Sequence, residues 1–211
     1  IVDDNSEDKT SDIAQQAAIN YKWINYIKKN QKHNTGPGKA VMAGFYFGYE
    51  NKKLDDFDIV MKLDADIILP RNYISEITKK MQADEKIGIC GGICLAEDVE
   101  EKITNLDHVR GAIKSYRKKC FVEIGGLLKS MGWDTVDEHS ARFFNWSVEV
   151  FTDLKVNHQR KTNFKFGYVK AGYINGKMLY SIRMDFFLML TNVLKWSFRF
   201  PYIFSALFLF L

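Results

Sequence analysis

The stretch "MKLDADIILP", residues 61–70, constrains the fold more than any other part of this sequence. The run "FDIVMKL" that leads into it is nearly continuously apolar, which is typical of a strand buried on both faces of a parallel sheet. This strand ends in Asp64 and Asp66, and unpaired carboxylates are costly to bury. We therefore expect a metal ion, a lysine or water to neutralise these two side chains.

The segments around this strand alternate between helical and strand patterns. Residues 1–20 predict a strand end, a polar loop and a helix with Ser11 or Asp12 as its N-cap. A Gly/Pro-rich loop then enters a second helix, and Pro70 lies in the first turn of a third. "IGICGGICLA" predicts another buried strand. This order predicts an α/β fold with an open, mostly parallel sheet flanked by helices, which binds ligands beyond the carboxyl ends of its strands.

The C-terminal part of the chain is basic and apolar. From residue 155 onward nine Lys or Arg accompany a single acid, so the total net charge of +4 leaves about −4 on the preceding residues. The tail is rich in aromatic residues, but a spanning helix is disfavoured by three interruptions: Lys195, Arg199 and Pro201. A helix in the membrane interface, or a core helix of a further domain, fits this pattern. We expect a globular domain over residues 1–180 and a membrane-associated helical segment over residues 181–211.

Composition also bears on partners and compartment. The basic residues accompany an apolar tail, which suits an anionic lipid surface better than nucleic acid, so we expect no nucleic-acid partner. Cys90, Cys94 and Cys120 lie in apolar surroundings without metal-ligand spacing, which predicts buried thiols in a reducing compartment. The chain opens inside a strand pattern and stops inside an apolar run. We therefore expect that both ends are truncated.

The two carboxylates at the strand end can turn toward one ligand, because the chain is free to bend there. Such a pair suits a hard divalent cation, Mg²⁺ or Mn²⁺, which retains open positions for phosphate oxygens. The cation would neutralise a diphosphate as it leaves. A second acidic strand end at Asp3 and Asp4, about 60 residues earlier, strengthens this interpretation.

Six segments then follow one another in a recognisable series: "IVDDNSEDKT", "NTGPGKAVMAGF", "IVMKLDADIILP", "IGICGG", "YRKKCFVEIGGL" and "GWDTVDEHSARFFNW". Over roughly residues 1–160 they resemble the inverting glycosyltransferases of family 2, which have the GT-A fold. The resemblance implies that the family's first strand is missing here. It also implies metal-dependent transfer, with inversion, of a hexosyl or related group from a nucleotide-diphosphate sugar to a glycan or lipid-linked acceptor. We expect this activity at the cytoplasmic face of the membrane, in polysaccharide biosynthesis.

The resemblance also implies roles for the acidic strand ends. Asp4, or Asp3 beside it, matches the position that contacts the base and ribose of the nucleotide. Lys39 lies where a cation would approach the nucleotide or the acidic cluster, or it is a surface lysine. Asp66 matches a metal ligand, and Asp64 would face the ribose or a metal-bound water.

A third acidic site would supply the base that an inverting transferase needs to take the proton of the acceptor hydroxyl. The family has a Glu-Asp pair at the start of a helix here. This chain has Asp137, our first choice, with Asp134 and Glu138 as alternatives, unless all three only favour the helix N-terminus. Arg110 would clamp a diphosphate or form a structural salt bridge. His158 is a third metal ligand or a structural histidine.

Two other classes of protein share parts of this pattern. A phosphoacceptor receiver domain also has an acidic pair after its first strand and an Asp shortly before a proline. However, about 60 residues separate Asp4 from Asp64, which is longer than one strand-helix-strand step needs, and a third acidic site follows. The other alternative is a transferase-like protein that binds without catalysis, or a nucleotidyltransferase on a related sheet.

Overall fold

The computed structural model describes residues 1–30, 38–51, 56–96, 99–100, 106–159, 173, 176–177, 179–180 and 184–197. The chain divides into two compact units. The first comprises Ile1–Phe57 with Leu128–Met131, and the second comprises Asp58–Leu127 with Gly132–Leu211. The first unit contains a small sheet and two helices, and the second contains the main sheet.

In the described part of the first unit the elements are, in chain order, β1 (Val2–Asp3), α1 (Thr10–Asn20), β2 (Ile27–Lys28) and α2 (Lys39–Glu50). Strands β1 and β2 pair in parallel. The predicted N-cap at Ser11 or Asp12 is wrong, because α1 already begins at Thr10 and its N-cap is Lys9. The Ser11 hydroxyl has another partner, which lies at the end of β1.

The described residues of the second unit form these elements: β3 (Ile59–Leu63), β4 (Ile67–Ile68), α3 (Tyr73–Ala83), β5 (Ile87–Ala96), β6 (Val99–Glu100), β7 (Ile113–Arg117), α4 (Lys118–Glu123), α5 (Trp133–Phe143), β8 (Ser147–His158) and α6 (Phe186–Ser197). The strand order in the sheet is β3-β7-β5-β8-β4, and β6 pairs with β5. The sequence "SVEVFTDLKVNH" forms a single strand of 12 residues, β8.

The long strands β3, β5 and β8 run in the same direction. Strand β8 is parallel to β5, whereas β7 lies between β3 and β5 and is antiparallel to both. The carboxyl ends of β3, β5 and β8 therefore meet at one edge of the sheet, the edge where an α/β fold binds ligands. The predicted α/β class with helices flanking the sheet is confirmed.

The core of the second unit lies between α3 and the sheet. Tyr73, Ile77 and Met81 recur every four residues, so they form one buried face of α3. They pack with residues of β5, β7 and β8: Ile87, Cys90, Cys94, Ile113, Leu154 and Val156. All three cysteines are free and buried, as predicted, and burial raises the pKa of Cys90 and of Cys120 to about 12. These thiols therefore remain protonated and act as small core residues.

The hydroxyl of Tyr73 completes the hydrogen bonding of this core. It accepts a hydrogen bond from Gly92 N–H at 3.1 Å and donates one to the carbonyl of Ile113 at 3.3 Å. Gly92 lies at the irregularity between β5 and β8, where the register shifts between Gly91 and Ile93. Burial raises the pKa of Tyr73 to about 12, so the phenol stays neutral.

We expect Tyr73→Phe to destabilise the chain by about 1–3 kcal/mol, because it removes one partner from two buried backbone groups. Urea unfolding followed by circular dichroism measures the change. Tyr180→Phe is the matched control, since the side chain of Tyr180 is 83% exposed. Equal unfolding midpoints for the two variants would contradict the structural role of the Tyr73 hydroxyl.

Candidate active site

The carboxyl ends of β3 and β8 bring two predicted metal ligands together. Asp66 lies in the turn between β3 and β4, and His158 is the last residue of β8. Ile67 pairs with His158, and the carbonyl of Asp66 accepts a hydrogen bond from Gln159 N–H at 2.8 Å. This backbone pairing places Oδ1 of Asp66 3.4 Å from Nε2 of His158.

These two atoms, a carboxylate oxygen and an imidazole nitrogen, are both donors that can bind a divalent cation. Their separation of 3.4 Å would allow both atoms to contact one cation. Nδ1 of His158 is buried and has no hydrogen-bond partner among the residues that the structure describes. Over the same residues, no cluster of three or more His, Cys, Asp or Glu side chains could hold a metal ion. Asp66 and His158 thus fit as two ligands of an incomplete set.

Asp64 has a different neighbour from Asp66. Its Oδ1 forms an ion pair with Nζ of Lys62, two residues earlier on β3. The side chain of Lys62 is only 7% exposed, and that of Asp64 is 36% exposed. A lysine therefore neutralises Asp64, which is one of the three possibilities left open by the sequence.

A short segment before β7 contacts both Asp64 and Asp134. The N–H of Asp64 donates a hydrogen bond to the carbonyl of Ala112 at 3.0 Å. A Cβ atom at Gly111 would lie 3.2 Å from Oδ2 of Asp134, so the glycine makes room for this carboxylate. Arg110 directly precedes Gly111 in the sequence. The structure thus brings Asp64, Arg110 and Asp134 to the same edge of the main sheet.

The other two candidate bases, Asp137 and Glu138, are both buried on α5. Both oxygens of Asp137 lie 2.9 Å from Nζ of Lys114, and Oδ2 also accepts a 2.5 Å hydrogen bond from the hydroxyl of Tyr116. Oε1 of Glu138 lies 2.8 Å from the same ammonium. Lys114 is itself fully buried, and it also donates to the carbonyl of Asp134. This network ties α5 to β7.

Glu138 also ties α5 to the segment before β7. Its Oε1 accepts a hydrogen bond from Val109 N–H at 2.9 Å, and its Oε2 lies 3.1 Å from Nδ1 of His108. Burial alone would raise the pKa of Glu138, but the bond to His108 and the Lys114 ammonium outweigh it and lower that pKa. Burial raises the pKa of Asp137 despite Lys114. The oxygens of both carboxylates are thus occupied within the protein.

Sequence reasoning missed Lys62, Lys114 and Tyr116 as parts of the site. A signal was available for the two lysines, because each occupies a strand among apolar neighbours, in "VMKL" and "AIKSY". A buried ammonium requires a carboxylate partner. The position of Tyr116 beside Asp137 depends on the packing of α5 against β7, which no local pattern specifies.

In the first unit, Asp3 is a structural carboxylate at the end of β1. It accepts hydrogen bonds from Ser6 N–H at 2.8 Å, from the Ser11 hydroxyl and from the Tyr26 hydroxyl at 3.0 Å. The bond from Ser11, followed by those from Ser6, lowers the pKa of Asp3 well below its ordinary value. Asp3 therefore joins β1 to α1 and fixes the loop that carries Asp4.

Asp4 and Lys39 are the more open candidates in this unit. The side chain of Asp4 is 41% exposed and pairs with Nζ of Lys29 at 2.8 Å. Lys39 is the first residue of α2 and follows Gly38, whose φ of 84° favours glycine. A Cβ atom at Gly38 would also lie 2.9 Å from Cα of Met131. Residues 31–37 of the Gly/Pro-rich loop lie outside the described residues.

Comparison with known proteins identifies the family. The sequence model of "Glycosyl transferase family 2" matches residues 1–143. The chain belongs to glycosyl transferase family 2. A search of curated protein sequences finds no match.

Two solved structures show how this family 2 chain is folded. The mannosyltransferase PcManGT from Pyrobaculum calidifontis, in complex with GDP-Man and Mn²⁺, aligns with a TM-score of 0.62 over 99% of this chain and 63% of its own, at 14% identity. GalNAc-T7 with UDP, GalNAc and Mn²⁺ aligns with a TM-score of 0.58 over 77% of this chain and 37% of its own, at 11% identity. These likenesses confirm the predicted GT-A fold. The chain spans less than two thirds of either protein's length.

Proposed function

We propose that this chain transfers a hexosyl or related group from a nucleotide-diphosphate sugar to a glycan or lipid-linked acceptor, with inversion and with Mg²⁺ or Mn²⁺. The observation that carries the proposal is the convergence of Asp64, Asp66, His158 and Asp134 at the carboxyl edge of the sheet. The ligands named for the two similar structures, GDP-Man with Mn²⁺ and UDP with GalNAc and Mn²⁺, support the donor class and the cation.

On the donor side we assign Asp66 and His158 to the divalent cation and Asp64 to the ribose or a metal-bound water. The cation, when bound, supplies positive charge that stabilises the departing diphosphate. Arg110 is permanently charged and presents a planar fork that suits two diphosphate oxygens. In this assignment the cation and the arginine neutralise the same leaving group.

For the nucleotide we assign Asp4 to the base or ribose, because a carboxylate accepts hydrogen bonds from ring N–H groups and hydroxyls. Asp3 supports Asp4, since its own oxygens already bind Ser6, Ser11 and Tyr26. Lys39, at the N-terminus of α2, is the second candidate in this unit for a contact with the nucleotide.

For the base we now favour Asp134 over Asp137. A general base must come within hydrogen-bonding distance of the acceptor hydroxyl. The oxygens of Asp137 and Glu138 are enclosed by Lys114 and other protein groups, whereas Asp134 is half-buried beside Gly111. In the proposed reaction the acceptor oxygen bonds to the anomeric carbon while the bond to the diphosphate breaks on the opposite face. Asp134 takes the hydroxyl proton.

We expect Asp134→Asn to lower kcat by about 10²–10⁴-fold while the Kd for the nucleotide sugar stays near its wild-type value. Asp137→Asn should mainly lower the unfolding temperature, because it leaves Lys114 with one fewer charged partner. Release of nucleoside diphosphate in the presence of acceptor measures turnover, and calorimetry measures binding. Wild-type turnover in Asp134→Asn would exclude this residue as the base.

We expect Asp66→Asn to abolish most of the thermal stabilisation that Mn²⁺ and a nucleoside diphosphate give the wild-type chain. Ligands raise the unfolding temperature by mass action, so losing a metal ligand reduces the shift. EDTA should have the same effect on the wild type. Asp153→Asn is the control, because Asp153 is an exposed carboxylate on β8. An equal shift in both variants would overturn the metal assignment.

The C-terminal helix leads to a separate proposal, that the chain associates with the cytoplasmic face of a membrane. Helix α6 contains no acidic residue, and large apolar side chains on it are exposed: Phe186, Phe187, Leu188, Leu190 and Leu194. All but Leu188 fall within an arc of about 100° of the helix circumference. No helix in the described part of the chain is long and apolar enough to cross a membrane. An interfacial helix would bury this arc in lipid, next to Lys195.

Flotation of the full chain with vesicles that contain phosphatidylserine tests this proposal. We expect Leu194→Ser to reduce the bound fraction several-fold, roughly as the loss of one buried leucine predicts. Leu188→Ser is the matched control, because both leucines are similarly exposed, at 57% and 53% for positions 188 and 194, but Leu188 lies outside the apolar arc. Equal loss in both variants, or no flotation of the wild type, would contradict an interfacial α6.

A further inference from the structure

Two buried lysines lie directly opposite each other at the start of the site. Lys62 on β3 pairs with Lys114 on the antiparallel strand β7. Like charges in this position repel each other, so each ammonium requires its own compensation. The ring of Trp133 lies 5.2 Å from Nζ of Lys62 and 5.7 Å from Nζ of Lys114, within the range of cation–π attraction.

The two ammonium groups have different carboxylate partners. Lys114 pairs with Asp137 and Glu138, which both lie on α5. Lys62 pairs with Asp64, one of the two acids of the Asp-x-Asp sequence. Asp64, which lies at the proposed cation site, is therefore already paired with Lys62.

The ion pair between Lys62 and Asp64 lowers the net negative charge that a free cation meets at the proposed site. Because Lys62 neutralises Asp64, Asp64 adds little negative charge to the pair formed by Asp66 and His158. The affinity of oxygen-ligand sites for divalent cations rises with the number of charged ligands. A bound nucleoside diphosphate would contribute the negative charge that Asp64 does not.

We infer that Lys62 is a positioning residue that holds Asp64 and keeps the affinity of the site for a free divalent cation low, so that the cation binds tightly only together with the nucleoside diphosphate. This inference rests on the proposed function. According to the inference, the Asp64 carboxylate makes two different contacts. Oδ1 is held by Lys62, and the partly exposed carboxylate can still accept a hydrogen bond from a ribose hydroxyl or a metal-bound water.

Binding of Mn²⁺, followed by the electron paramagnetic resonance signal of the free ion, tests the inference without turnover. Wild type and Lys62→Met are titrated alone and in the presence of GDP or UDP. In Lys62→Met we expect the Kd for free Mn²⁺ to fall by about fivefold or more, because a neighbouring positive charge is lost and Asp64 is released. The ratio of the Kd values without and with nucleotide should fall by a similar factor.

Two variants separate the charge of Lys62 from its packing. Lys62→Arg keeps the positive charge, so its Kd for free Mn²⁺ should stay within about twofold of the wild-type value. Introducing Lys62→Met into an Asp64→Asn background should have a smaller effect than in the wild type, because the carboxylate that Lys62 holds is absent. Lys62→Gln replaces Lys62→Met if the methionine variant does not fold.

The outcomes distinguish this inference from the proposed function. If the wild type binds no Mn²⁺ even with GDP or UDP, the proposed function fails and the inference fails with it. If the wild type binds Mn²⁺ with nucleotide but neither Lys62→Met nor Lys62→Gln binds free Mn²⁺ more tightly, only the inference on Lys62 is overturned. Tighter binding in the neutral variants and not in Lys62→Arg supports it.

Discussion

Two buried lysine ammonium groups lie opposite each other on the neighbouring strands β3 and β7. They determine where the carboxylates that neutralise them can lie in the second unit. Lys62 and Lys114 face each other in register and share the ring of Trp133. A buried charge is tolerated only with a charged and hydrogen-bonded partner, so each lysine fixes the position of an acidic group. Lys62 holds Asp64 at the end of β3, and Lys114 holds the first turns of α5. The same electrostatic arrangement therefore positions both Asp64, at the end of β3, and helix α5, which carries the proposed base.

The acidic residues near the site therefore form two groups, which differ in the protein groups that surround their carboxylate oxygens. Asp137 and Glu138 are bound by Lys114 and buried, so they stabilise the contact of α5 with β7. Asp66 lies beside His158, and Asp134 lies beside Gly111. The proposed direct metal ligand and the proposed base belong to this second group, because an acid that already neutralises a buried lysine is a poor metal ligand and a poor base; Asp64, paired with Lys62, keeps the proposed contact with a ribose hydroxyl or a metal-bound water.

Local patterns in the sequence predicted the α/β class, the acidic ends of β1 and β3, and the resemblance to family 2 that the comparisons confirm. They could not decide between Asp134 and Asp137. That distinction depends on Lys114, which lies 20 residues or more before either acid and reaches them only when β7 packs against α5. The direction of β7 and the bond from Ser11 to Asp3 also arise from tertiary packing. With the family established, a receiver domain is excluded as an interpretation of the paired acids.

The different environments of Asp64 and Asp66 have a simple geometric origin. Alternate residues of a strand face the same side, so Asp64 follows Lys62 onto the face where the ammonium lies. Continued strand geometry would place Asp66 there too, but β3 ends at Leu63 and the chain turns before β4. The pairing of β4 with β8 then directs Asp66 toward His158. One residue of separation is thus enough to place the two acids in different surroundings, Asp64 beside Lys62 and Asp66 beside His158, because the strand ends at Leu63.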